Sequence, residues 1–223
     1  MSTYAIGDIH GCAKAFRQLV DWIAPGPDDT LVTLGDYIDR GPNSRGVVKF
    51  LRDLRERTRL IPLKGNHELI LEEAILSSEK ADWWKRVGGR ETLDSYGVKS
   101  PGKIPWSHLK FLARCAPFHE TATHVFVHGG VLPNVRVDEH TLDELAWLRV
   151  YDAEAHQSGK IVICGHTPQR DGRPLDLGHT ICLDTWAYKK GWLTCLEVES
   201  GKYWQVKEKG KKGGVKRRQG ALW

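Results

Sequence analysis

Six short blocks follow one another along the chain: GDIHG at 7–11, GDYIDRG at 35–41, GNHE at 65–68, HGG at 128–130, LR at 148–149 and GHTP at 165–168. The first three constrain the fold most. Each closes a short apolar run, at residues 3–6, 30–34 and 59–63, and in each a Gly is followed within a few residues by Asp or Asn. Such runs read as strands emptying into loops. Between the first two, Phe16, Leu19, Val20 and Ile23 recur at helical spacing until Pro25-Gly26-Pro27, and Val47, Val48, Leu51 and Leu54 mark a second helix. The opening sixty or so residues are therefore a βαβαβ unit, and its parallel sheet gathers the loops at the carboxyl ends of the strands. All three early blocks lie in those loops.

Further along, residues 79–117 break the rhythm with Trp83-Trp84, GGRETLDSYG and a Pro/Gly-rich stretch, then a helix from 106 to 115. A helical cap beside the loops is expected there. Residues 125–127, 161–164, 181–183, 193–198 and 203–206 read as strands of a second sheet. The fold class is α/β. A chain of 223 residues that is 40% apolar can bury a core of its own, and it holds no apolar run long enough for a membrane span. Because Asp8 falls so near Met1, cleaving a signal peptide would remove the first block, and a cytoplasmic location is expected. Cys12, Cys115, Cys164, Cys182 and Cys195 show no CxxC spacing, so reduced, buried thiols are expected. From Lys207 to Arg218 the charge is +6, against +5 for the whole chain, so the basicity belongs to a Gly/Lys-rich end. That composition predicts a catalytic domain over 1–206 and a disordered tail over 207–223, whose removal leaves activity on small substrates unchanged.

The blocks carry a definite chemistry. Residues two apart on a strand end point the same way, so Asp8 and His10 can grip one ion while Ile9 faces inward. Asp36 offers a carboxylate that can bridge to a second ion, with Asn66, His128 and His166 completing its ligands. Carboxylate, amide and imidazole donors without thiolate suit Mn best, with Fe, Zn or Co as alternatives. Two such ions, about 3.5–4 Å apart, can hold a hydroxide for in-line attack on phosphorus. His67, next to Asn66, is the candidate proton donor to the leaving alkoxide, Asp39 its orienting partner, and Arg40 and Arg149 the forks for phosphate oxygens.

In their order and spacing, GDIHG, GDYIDRG, GNHE, HGG and GHTP resemble the metallophosphoesterases of the phosphoprotein phosphatase family over residues 4–198. The resemblance implies a calcineurin-like four-layer αββα sandwich of two mixed sheets flanked by helices. It implies a dinuclear centre with Asp8, His10 and Asp36 on one metal and Asp36, Asn66, His128 and His166 on the other. His67 would be the acid, assisted by Asp39, and Arg40 and Asn66 would bind phosphate. Arg149 matches the second phosphate arginine of the bacterial and bacteriophage lambda-like members. Size and the late LDT-A segment also resemble the symmetrical diadenosine tetraphosphate hydrolases. Two departures, Trp186 where relatives usually carry Gly and Val87 where many carry Asn, bear on substrate shape. No SAPNYC-like regulatory loop is present.

The leading expectation is thus a monomeric serine/threonine protein phosphatase acting on phosphoprotein or phosphopeptide. The rivals are a symmetrical bis(5'-nucleosyl)-tetraphosphatase acting on dinucleoside polyphosphates, and a non-catalytic protein whose basic tail contacts nucleic acid. Trp83, Trp84, Tyr96 and Trp106 are expected to pack the cap rather than to stack a nucleobase. His108, His119, His124, His140, His156 and His179 are expected to be structural or solvated.

Overall fold

The computed structural model describes residues 1–218. Strands β1 (Thr3–Ile6), β2 (Thr30–Thr33) and β3 (Arg59–Pro62) run parallel, joined by helices α1 (Ala13–Ile23) and α2 (Ser44–Leu54). After β3 come α3 (Asn66–Leu76), α4 (Ser78–Trp84), a π turn (Lys85–Gly89), α5 (Arg90–Tyr96) and α6 (Trp106–Ala113). The chain continues through β4 (Phe118–Glu120), β5 (His124–Val127), α7 (Leu142–Trp147), β6 (Ile161–Cys164), β7 (Leu175–Asp176), β8 (Thr180–Cys182), β9 (Leu193–Glu197), β10 (Lys202–Val206) and β11 (Lys212–Arg217).

Two mixed sheets result, one ordered β11-β10-β9-β1-β2-β3 and the other β4-β5-β6-β8-β7. Alternation along the strands assigns the layers. Ala5, Val32 and Leu196 of the first sheet meet Phe126, Ile163 and Ile181 of the second in an inner core. Tyr4, Ile6 and Leu31 face the opposite way, onto Phe16 and Leu19 of α1 and Val47 and Leu51 of α2. On the outside of the second sheet, Val125, Val127 and Val162 pack with Leu145 of α7. These are the four αββα layers that the resemblance implied.

Sequence and structure part at three places. The segments at 193–198 and 203–206 do not join the second sheet. As β9 and β10 they return to the first, with β9 antiparallel to β1. The short edge strands β4, antiparallel to β5, and β7, antiparallel to β8, were not anticipated. The basic end is not an unpacked tail over its described part: residues 212–217 form the edge strand β11 against β10. Arg218 forks onto Asp176 through contacts of 2.7 and 2.8 Å. Glu208 reaches the first turn of α1, where its carboxylate accepts the N–H groups of Lys14 and Ala15 at 3.4 and 2.9 Å. Cys12, at the helix start, supplies no such cap. Residues 219–223, also assigned to that tail, lie outside the described residues. All five cysteines are buried and unpaired, and no helix among the described residues is long and apolar enough to cross a membrane.

Because Glu208 supplies the cap and the charge at the positive end of α1, its loss is a helix-capping defect. Glu208→Ala is expected to cost about 1 kcal/mol. Truncation after Val206, which also removes the Arg218 fork, is expected to cost roughly 2–4 kcal/mol by the sum of the two effects. Urea unfolding of the two variants beside the parent checks both; a truncated chain as stable as the parent would show that the end contributes nothing.

Candidate metal centre

The parallel strands of both sheets aim their carboxyl ends at one place. Asp8 follows β1, Asp36 follows β2, and Asn66 and His67 open α3 after β3; His128 follows β5, His166 follows β6, and Asp184 follows β8. All seven are buried. The local backbone is strained to bring them together. Of the seven non-glycine residues with positive φ among the described residues, five are His10, Asp36, Asp39, Arg40 and His166, conformations that cost about 1–3 kcal/mol each unless the surroundings enforce them. Close approach also demands glycine. A Cβ on Gly65 would stand 2.2 Å from Asp36 Oδ1, and one on Gly165 would stand 2.1 Å from Asp8 Oδ1.

Asp36 is the hub. Its Oδ2 lies 3.3 Å from His10 Nε2, its Oδ1 lies 3.4 Å from His128 Nε2, and Oδ1 accepts the His67 N–H at 3.0 Å. Asn66 Oδ1 is 3.0 Å from both His128 Nε2 and His166 Nδ1. Two groups of three ligand atoms, His10/Asp36/His67 and Asp36/His128/His166, each fall within 4.8 Å. Asp8 is in neither. Its carboxylate turns to the His166 N–H, 3.2 Å from both oxygens.

Protonation follows from burial and charge. Desolvation lowers the pKa of His10 and His128, and that of His166 to about 3. Nδ1 of His10 donates to the Ile38 carbonyl at 3.0 Å and Nδ1 of His128 to the Leu34 carbonyl at 2.7 Å, so each Nε2 keeps its lone pair. Burial would raise Asp36, but His128, His67, His10 and Arg40 outweigh it and hold its pKa far below the usual range. Asp8 is pushed up by burial and by the charges of Asp184 and Asp36; Asp184 rises to about 6, through burial first. Neutral imidazoles beside crowded carboxylates form the donor set a divalent cation requires. His166 Nε2, buried without a hydrogen-bond partner among the described residues, fits that reading.

His67 is held differently from the other imidazoles. Its Nδ1 meets Asp39 Oδ2 at 2.7 Å, while Nε2 is buried with no hydrogen-bond partner among the described residues. Burial lowers its pKa, but the Asp36 and Asp39 carboxylates overcome that and raise it. Asp39 in turn accepts the Trp84 indole N–H at 2.9 Å and the Thr92 hydroxyl at 2.7 Å. Arg40 Nη1 lies 2.9 Å from His10 Nε2. Arg149 is exposed, 3.5 Å from the Tyr151 hydroxyl, yet its charge reaches His166 and Asp184, which puts it at the rim.

Sequence reading missed four residues here. Asp184 is an acid directly after an apolar run, but without the glycine that marked Asp36. Glu68 accepts the N–H groups of Asp36, Tyr37 and Gly65 at 2.9, 2.9 and 3.0 Å and so fixes the two loops against each other. Trp84 and Thr92 gave no signal, because their partner Asp39 is 45 and 53 positions away. Among the cap aromatics, Trp84 and Tyr96 are buried and Tyr96 meets His108 at 2.8 Å, as packing required. Trp106 is 74% exposed.

The chain is 35% identical over 143 residues to a protein from Acidovorax ebreus named "Bis(5'-nucleosyl)-tetraphosphatase, symmetrical", covering 62% of this chain and 47% of that one. It spans about half the length of the tetraphosphatase relatives it matches. A "Serine/threonine-protein phosphatase 1" from Salmonella typhimurium is 28% identical over 213 residues, 88% of this chain and 91% of that one. Among solved structures, one described as a putative diadenosine tetraphosphatase superposes with a TM-score of 0.70 over 92% of both chains at 21% identity, which speaks for the fold alone. The family model described as Calcineurin-like phosphoesterase matches residues 1–195, and the chain belongs to that family of metal-dependent phosphoester hydrolases.

Proposed function

We propose that the chain is a symmetrical dinucleoside tetraphosphate hydrolase, cleaving a phosphoanhydride at a centre of two divalent ions with His67 as proton donor. The observation that carries the chemistry is the convergence on Asp36 of His10 on one side and of His128, with Asn66 and His166, on the other, beside the His67 imidazole, whose Nδ1 is held by Asp39 and whose Nε2 has no hydrogen-bond partner among the described residues. The tetraphosphatase names of several relatives support the substrate class. A second reading, phosphoserine or phosphothreonine hydrolysis, is favoured by the Salmonella phosphatase, which aligns over nearly its whole length.

Asp8, His10, Asp36, Asn66, His128 and His166 would hold the metals, with Asp184 adding charge beside Asp8; manganese is the first candidate. When bound, the ions would supply an activated water and positive charge at phosphorus. The remaining work falls to the chain. Arg40, fixed beside His10, and Arg149 at the rim grip the non-bridging phosphate oxygens as charge builds on them. Asp39 holds Nδ1 of His67 and turns Nε2 toward the departing oxygen, and the Asp36 and Asp39 carboxylates favour the charged ring that donates there. Thr92 and Trp84 hold Asp39.

His67→Asn is expected to lower turnover of alkyl phosphates by about 10²–10⁴ and to matter less for nitrophenyl phosphate, whose leaving group, like the nucleotide released from a phosphoanhydride, scarcely needs a proton. Equal losses on both would remove His67 from the acid role. Thr92→Val keeps the shape and deletes one donor to the Asp39 carboxylate, a change expected to lower kcat about tenfold with little effect on KM; an unchanged kcat with folding intact would leave Thr92 purely structural. The substrate itself is decided by comparing diadenosine tetraphosphate with a phosphoserine peptide, with and without EDTA. ADP release that exceeds peptide dephosphorylation and stops on chelation supports the first reading. The reverse preference supports the second.

A further inference from the structure

One cavity of about 460 Å³ opens beside the metal centre, walled by Arg40, Lys85, Arg86, Arg90 and Lys189, with Tyr188 among them and Glu91 as its one acid. Arg40 belongs to both places. Its guanidinium touches His10 and lies over the Tyr188 ring at 5.0 Å. Lys85 is bridged to Asp82 at 3.0 Å, but Arg86, Arg90 and Lys189 have no salt bridge among the described residues.

These cations do not face the cavity by accident of a mobile loop. The π turn Lys85–Gly89 carries Gly88 at φ 131°, and the Gly88 carbonyl accepts the Arg40 N–H at 3.0 Å. A Cβ on Gly88 would lie 2.7 Å from Arg40 Cγ, so the turn is locked onto the phosphate-gripping loop. The opposite wall is fixed too. Trp186, in the left-handed region at φ 63°, donates from Nε1 to the Tyr188 hydroxyl at 3.1 Å. The departure from glycine at 186 thus props Tyr188, and Lys189 follows directly.

A single terminal phosphate is already served by Arg40 and the metal donors. The additional cations are surplus for a monoester, but they match a ligand that carries about one charge per phosphoryl group away from the reacting one. We propose that this groove is a subsite for the phosphoryl groups flanking the scissile bond of a polyphosphate chain, with Arg86, Arg90 and Lys189 as its free cations. The proposal rests on the reading of the adjacent centre as a phosphoesterase acting on polyphosphate esters. A concave cluster contiguous with Arg40 favours a compact polyanion over an extended acidic peptide.

The test is inhibition of nitrophenyl phosphate hydrolysis by inorganic tripolyphosphate and by inorganic phosphate, at fixed free metal and ionic strength. It compares the parent with Arg86→Ala/Arg90→Ala/Lys189→Ala, three exposed positions whose change leaves the core intact. The inhibition constant for tripolyphosphate is expected to rise about tenfold or more while that for phosphate moves less than about threefold. The ratio of kcat/KM for diadenosine tetraphosphate over nitrophenyl phosphate should fall in parallel. Equal shifts for both inhibitors, or none for tripolyphosphate, would overturn the subsite; so would an unmoved tripolyphosphate constant with a raised KM for an acidic phosphopeptide. If the parent leaves diadenosine tetraphosphate intact while the tripolyphosphate constant still responds, the proposed substrate fails and the groove stands.

Discussion

The Asp36 carboxylate is the interaction on which this site depends. It is buried among His10, His67 and His128, its own residue sits in a left-handed conformation, and its carbonyl accepts the N–H groups of Ile9 and His10. A buried anion without compensation would be costly. Here the surrounding imidazoles and Arg40 favour the charged form, and a metal pair would favour it further. The same residue therefore ties together the loops after β1, β2 and β3 and those of the second sheet.

Around that anion lie two further carboxylates as buried as Asp36 itself, Glu68 and Asp39. Glu68 binds three backbone N–H groups and locks the Asp36 loop to the start of α3. Asp39 receives His67, Trp84 and Thr92 at once, so the helices after α3 are joined to His67 through one carboxylate. Outside these lie the exposed arginines and lysines, whose charges are screened by water and whose value lies in attracting and orienting an anion rather than in stability. The strain in the loops is supported by rigid strands behind them, a common division of labour at functional sites.

The legible part of the site lay in short-range pattern. A β-run that ends in a metal-type donor beside a glycine is a local signal, and it located Asp8, Asp36, Asn66, His128 and His166 without any knowledge of the fold. Asp184 ends a β-run with no glycine beside it and was passed over. Asp8 shows where such a signal stops short: its place at a strand end was readable, but its carboxylate engages the His166 backbone 158 positions away. The basic end misled for a different reason. Lysine and glycine deplete a core, so they read as disorder, yet charged residues on a strand's free side are also how a sheet edge avoids further pairing.

By itself, then, the sequence determined the kind of chemistry, that of a phosphoesterase, because carboxylate, amide, imidazole and guanidinium side chains at local spacings are legible without the fold. It also determined that the opening unit is parallel, because periodicity and turn residues are local as well. Tertiary structure alone decided that β9, β10 and β11 complete the first sheet, since pairing partners are chosen by long-range burial and not by neighbours in the chain. It likewise decided that Trp84 and Thr92 serve Asp39 and that Lys85, Arg86, Arg90 and Lys189 share one cavity with Arg40. Those juxtapositions join residues tens of positions apart or more, and only packing the sheets and helices brings them within reach of one another.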